Sequence, residues 1–137
     1  MPIRVVRLGT PRLPGEGVRL GTARRPPRGV RKEDYATLDY FDAWVPELAP
    51  TAPLVKYALS QPLTPARWKG FARRYRAEMS KPPASHLIAA LAALSRQTDL
   101  SVGCYCADES RCHRSLLREL LIEAGADVAD AVPAPPE

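Results

Sequence analysis

Fifteen prolines in 137 residues set the first limit on what this chain can build. A proline removes a backbone donor and fixes its own φ, so each one ends, starts or bends a regular element. The chain must therefore be assembled from short pieces. Pro26 and Pro27 exclude a helix over 25–32 and leave an extended basic loop, "RPPRGVRK". Pro65 has the opposite effect. It follows Thr64, a good N-cap, and occupies the first helical position, so 63–79 reads as the clearest helix. Trp68, Phe71, Ala72, Tyr75 and Met79 fall on one stripe of that helix, with Lys69, Arg73, Arg74 and Arg76 off it.

The remaining elements follow from local pattern. Residues 3–9 and 18–24 are rich in Val and Leu and read as strands, and 100–106, "LSVGCYC", as a third. The aromatic stretch around Phe41 and Trp44 fits an edge strand or an irregular segment ending at Pro46. A short helix is expected after Thr51, and a second, apolar one over 85–97, with His86 at its start as a structural residue. A last helix is expected from near Ser110 to Gly125, with Asp108 or Ser110 as N-cap and Gly125 just past its end. Strands alternating with helices predict an α/β fold, a small and largely parallel sheet with flanking helices in a single domain. The domain is expected to span 1–128, with 129–137 as a flexible tail.

Composition narrows the class. The first residues contain no long apolar run of the secretory type, and the longest apolar stretch, 87–94, is too short to cross a bilayer. A cytoplasmic protein with no membrane partner is expected. The net charge of +5 is uneven: residues 1–32 hold nine Arg or Lys and one Glu, while the rest of the chain is net acidic. Any basic partner-seeking surface would be N-terminal, and a nucleic acid is one partner it would suit. No aromatic residue interleaves the loop 24–32, so stacking on bases is not indicated.

All three cysteines fall within nine residues, in "CYCADESRCHR". An odd number excludes a complete disulfide framework, and clustered thiols in a reducing compartment point to metal or redox chemistry. Cys104 and Cys106 are two apart and would share one face of a strand. His113, Leu116, Leu117 and Leu120 share a helix face, which turns His113 inward and leaves Arg111, Arg114 and Arg118 toward the open side. Three readings remain open. Cys106, Cys112 and His113, with Cys104 or Asp108, could ligate zinc or iron. Cys106 or Cys112 could be a reactive thiol activated by a helix N-terminus and arginines, or the two could form a reversible disulfide. Finally, the helix N-terminus with Arg111 and Arg114 could hold an anion. The spacing does not fit the cysteine phosphatase loop, because Cys112, not arginine, stands six after Cys106. Against all three stands simple packing, which explains Cys104 best.

The order of segments resembles the YeaO-like family, domain of unknown function 488, over about residues 19–122. Arg24, Pro27, Arg28 and Gly29 match its D-R-x-W-P-R-G motif, with Ala23 and Pro26 departing. Asp42, Trp44, Leu48, Ala49 and Pro50 match D-x-W-x3-L-A-P-S, with Thr51 for Ser. Many YeaO-like members carry N-H where this chain has Cys112 and His113. Cys106, Ala107, Cys112, His113 and Arg114 instead match a C-A-E … C-H-R pattern of other members, with Glu109 displaced by one. The resemblance implies an α/β fold and suggests that the basic loop and the C-H-R helix face one shared site. The expected arrangement has Arg24 and Arg28 on one side and Cys106, Cys112, His113 and Arg114 on the other, around an anionic, phosphate- or nucleotide-like small molecule. Cys106, Cys112 and His113 are the candidates for chemistry.

Overall fold

A computed structural model describes residues 2–106 and 109–129, with Arg111 by its backbone alone. Four parallel strands form the sheet: β1 (Ile3–Arg7), β2 (Val18–Gly21), β3 (Ala43–Trp44) and β4 (Leu100–Cys104), in the order β1-β4-β2-β3. The last strand in sequence is thus an inner one. Its run of "LSVGC" is buried throughout, as expected of a parallel strand covered on both faces. The described residues form four α-helices, the first three starting at or beside prolines: α1 (Ala52–Leu59), α2 (Pro65–Met79), α3 (Ala84–Leu94) and α4 (His113–Glu123).

The register sorts the two faces of the sheet. Leu100 stands beside Ile3 and Val18, and Val102 beside Val5 and Leu20. All of these but Val18, which is exposed, meet Phe71, Tyr75 and Met79 of α2, Ile88 and Leu91 of α3, and Leu116, Leu117 and Leu121 of α4 in one core. The opposite face carries Arg19, Gly21, Ser101 and Gly103, and the loops before β2 and β3 cover it. Gly21 and Gly103 stand side by side at the carboxyl ends of β2 and β4. A Cβ on Gly21 would lie 2.3 Å from the Phe41 ring, and one on Gly103 2.7 Å from the Val6 carbonyl. Only glycine lets Phe41 close over Gly21 and leaves room for β1 and Leu8 beside Gly103.

On this second face Arg19 and Glu16 are buried together. The Arg19 guanidinium donates to both Glu16 carboxylate oxygens at 2.7 and 2.8 Å and to the carbonyls of Thr10 and Asp39. Ser101 donates to Glu16 at 2.9 Å. Every charge-bearing atom finds a partner, which is what allows a charged pair to remain inside.

Several boundaries depart from expectation, each for a local reason. β2 stops at Gly21 and β4 at Cys104, so Cys106 lies beyond the strand. The aromatic segment yields only the two-residue edge strand β3 before a 3-10 turn at Pro46–Leu48. Thr51 does not cap α1 with its side chain; its hydroxyl and N–H both donate to Glu78. Thr64 does cap α2, accepting from the Arg67 N–H at 3.2 Å. His86 is exposed rather than structural. α4 begins later than Ser110, because Glu109–Arg111 form a 3-10 turn and Cys112 takes the N-cap position; Asp108 lies outside the described residues. Gly125, at φ 91°, ends α4 as expected. Beyond it the chain returns to β1, where the Ala129 N–H donates to the Ile3 carbonyl at 2.8 Å; residues 130–137 are not described. No helix among the described residues is long and apolar enough to cross a membrane.

Candidate functional site

Parallel strands bring their carboxyl ends to one edge, where ligands of such sheets bind. Here that edge gathers the end of β4, the loop after β2 and the start of α4. Cys104 closes β4, Cys106 follows two residues later, and Cys112 is the N-cap of α4 with an extended backbone (φ −119°, ψ 148°). Its side chain makes no capping bond. The sulfur turns instead to the other two, and the three Sγ atoms lie within 4.8 Å of one another. Cys104 and Cys112 are buried and Cys106 is exposed; all three are free thiols.

The neighbours fix this cluster. His113 Nε2 lies 2.8 Å from the Thr22 carbonyl. A carbonyl only accepts, so Nε2 carries the proton and Nδ1 is bare, 3.8 Å from Cys112 Sγ. Burial lowers the His113 pKa to about 4, which keeps the ring neutral at pH 7. Thr22 is held in turn by its hydroxyl, which donates to the Gly103 carbonyl at 2.9 Å. The Tyr75 ring packs 5.6 Å from the His113 ring. Arg114 donates to the Cys106 carbonyl at 2.7 Å. Within the cluster, hydrogen bonds from the Cys104 and Cys112 thiols hold the Cys106 pKa well below the ordinary thiol value. Acting as donors in those bonds pushes Cys112 and Cys104 up.

Above the sulfurs opens a cavity of about 640 Å³. All three cysteines and His113 line its floor. One wall is apolar, with Val55 and Leu59 of α1, Leu63 of the link that follows, and Phe71 of α2. The rim is the loop 24–28 after β2. Tyr105 ties that loop to the cysteine segment, donating from its hydroxyl to the Arg25 carbonyl at 3.1 Å. Segments some eighty residues apart in sequence thus share one concavity.

The arginines are distributed differently from expectation. Arg24 lines the cavity, but its guanidinium donates to the carbonyls of Pro50 and Pro46 at 2.9 and 2.8 Å, bracing the turn before α1. Arg28 lines the rim and is exposed, and so is Arg25, its neighbour in the same basic loop. Arg114 is buried, only 3% exposed, and not on the open side of α4; it is absent from the cavity lining. Its position just after the N-cap turns it back under Cys106. The Arg111 side chain lies outside the described residues. Asp42 pairs with Arg12 at 2.8 Å, not with the basic loop. Trp44 is part-exposed, and its indole N–H donates to the Ala23 carbonyl at 2.8 Å.

Sequence reasoning missed Tyr105, Thr22 and the apolar wall. Tyr105 had a signal, since it stands between two singled-out cysteines. Thr22 had none, because its role comes from a carbonyl that only the fold brings to His113.

A family model described as the active DUF488-N3 subclade, DUF488-N3a, matches residues 3–125. No curated protein and no solved structure matches the chain.

Proposed function

The chain belongs to the DUF488 family, and on that premise we propose that its cavity binds a small molecule with an anionic, phosphate- or nucleotide-like end and an apolar body. The observation that carries this reading is the joint lining of one 640 Å³ cavity by the exposed Arg25 and Arg28, by an apolar wall, and by Cys106, Cys112 and His113. Guanidinium groups suit phosphate and carboxylate oxygens because they offer paired donors. Pro26 and Pro27 stiffen the loop that carries them, which lowers the entropy lost on holding an anion. The wall formed by Val55, Leu59, Leu63 and Phe71 suits a planar or aliphatic body. With the anion at the rim, the far end of the molecule faces Cys106 and the bare Nδ1 of His113, where chemistry would occur.

The test is calorimetric titration of the reduced protein with a nucleoside monophosphate and with inorganic phosphate. Arg25→Ala and Arg28→Ala should each weaken nucleoside monophosphate binding by about 10–100-fold, the size of a lost hydrogen bond to a charged group. Leu59→Asp should weaken the nucleotide and leave phosphate unchanged. Equal affinity in wild type and both arginine variants would overturn the reading.

A second reading, a metal held at the same floor, is favoured by one observation, the approach of three sulfurs to within 4.8 Å.

A further inference from the structure

Two zinc–thiolate bonds of about 2.3 Å on a tetrahedral ion set their sulfurs about 3.8 Å apart. The three Sγ atoms here start within 4.8 Å of one another. Closing the remaining distance needs only small side-chain rotations, and Cys106, exposed and beyond the end of β4, has room to make them. The three cysteines are also anchored differently: one by a sheet ladder, one by a helix N-cap, and one on the link between them. Such a set converges because the fold directs it there, not because neighbours in sequence must touch.

His113 does not join the set. Its Nε2 is bound to the Thr22 carbonyl, and its Nδ1, though 3.8 Å from Cys112 Sγ, is not among the atoms that all close on one another. The donors that converge are therefore sulfur alone. That selects soft, thiophilic ions and disfavours magnesium or calcium, which take oxygen. All three cysteines line the cavity floor.

We propose that Cys104, Cys106 and Cys112 together bind one thiophilic divalent ion of the zinc class, with its fourth coordination position open to the cavity. Binding replaces up to three S–H protons by three metal–sulfur bonds and releases those protons to solvent. The resulting site has one net negative charge. The N-terminus of α4, which starts at the third ligand, and the buried Arg114 beneath Cys106 compensate it. The three sulfur ligands stand independently of the anion-binding reading, while the identity of the fourth ligand, water or an atom of the bound molecule, rests on it. An open fourth position is the arrangement of catalytic rather than structural zinc.

Cobalt(II) titrated into the full-length reduced protein gives the readout, since thiolate-to-cobalt charge-transfer bands count the sulfurs bound. One equivalent of cobalt should produce these bands, and zinc should displace it and erase them. Cys106→Ser should weaken cobalt by more than the 10–100-fold typical of a residue that only supports a ligand. Because Cys106 is exposed, circular dichroism should show that variant folded. Zinc should also protect Cys106 from iodoacetamide in the wild-type protein. Cobalt bound without thiolate bands, unchanged affinity in Cys106→Ser, or alkylation at the same rate with and without zinc would each overturn the site. Arg28→Ala should keep the cobalt bands in full while losing nucleotide, so a failure of the cavity reading and a failure of the metal site are seen separately.

Discussion

Residues 1–32 hold nine basic side chains against one acid, and residues 104–113 hold all three cysteines beside a histidine. Both segments stand out, and folding treats them in opposite ways. The basic set is dispersed. Arg19 is buried on Glu16, Arg12 spans Asp39 and Asp42, Arg31 pairs with Asp34, and Arg24 is bound to backbone carbonyls. The cysteine set is gathered until its sulfurs touch the same small volume. Like charges repel, so each arginine finds its own partner in a different place. Thiols carry no such penalty, and a strand end facing a helix N-cap can bring three of them together. A count of charge along a sequence therefore says less about a surface than a count of soft donors says about a site.

The sharpest way to break this contrast is at the buried pair. Glu16→Gln leaves the Arg19 guanidinium buried without its counter-charge. The expected cost is about 3–5 kcal/mol in urea denaturation, the usual size for breaking a buried ion pair from one side. A loss under about 1 kcal/mol, the surface-pair range, would mean that Arg19 is as freely solvated as a surface charge. The pH dependence provides an independent check. Burial alone would raise the Glu16 pKa, but bonds from Arg19, Ser101 and the Leu13 N–H outweigh it and hold the group below its ordinary value of 4.5. A carboxyl depressed in the folded state stabilises above its unfolded pKa, and that stability is lost as pH falls through the folded value. Wild type should lose it in acid, below about pH 4.5, and Glu16→Gln should lack that loss.

Arg12 tests the other end of the same scale. It lies against Asp42 and Asp39 with about a quarter of its side chain exposed. Arg12→Ala should cost about 0.2–1 kcal/mol, as part-exposed pairs do. Urea midpoints for the two variants measured side by side would show whether the basic segment is knit into the fold at one point or along its length. A cost for Arg12→Ala equal to that for Glu16→Gln would favour the second.

What the sequence made legible follows the same division between local and distant causes. α2 could be read because its cap, its first-turn proline and its apolar stripe all lie within sixteen residues, Thr64 to Met79. β4 could be read because Leu100, Val102 and Cys104 alternate with the small Ser101 and Gly103 within one short segment. Cys106, Cys112 and His113 could be singled out as reactive residue types crowded together. The burial of Arg19 could not, since it depends on Glu16 and Ser101 meeting it across the sheet. Nor could the inward turn of Arg114, which the face of His113, Leu116, Leu117 and Leu120 leaves on the open side and whose place depends on the Cys106 carbonyl that the loop after β4 brings to it. The choice between Arg24 and Arg25 at the cavity was equally hidden, because adjacent residues in a loop differ only by where the backbone points them. The apolar cavity wall was hidden for another reason: Leu63 and Phe71 have the spacing and chemistry of core residues, and a wall is a core face left without a partner.

The smallest predicted effect concerns nucleic acid, the partner that the charge of residues 1–32 suggests. If all nine basic groups acted as one surface, retention on single-stranded DNA would fall with salt at a log–log slope of about −6. With Arg12, Arg19 and Arg31 paired to carboxylates and Arg4, Arg7 and Arg24 bound to backbone carbonyls, the basic side chains left over among the described residues are the exposed Arg25, Arg28 and Lys32. Three contacts correspond to a slope of about −2. Replacing all three with Ala should remove most of that dependence, whereas Arg12→Ala should leave it unchanged. A slope near −6 in wild type, or one that the triple replacement does not reduce, would make the N-terminal segment a single polyanion surface after all. A slope near −2 that vanishes would instead assign the same arginines to the cavity rim, where one phosphate suffices to fill them.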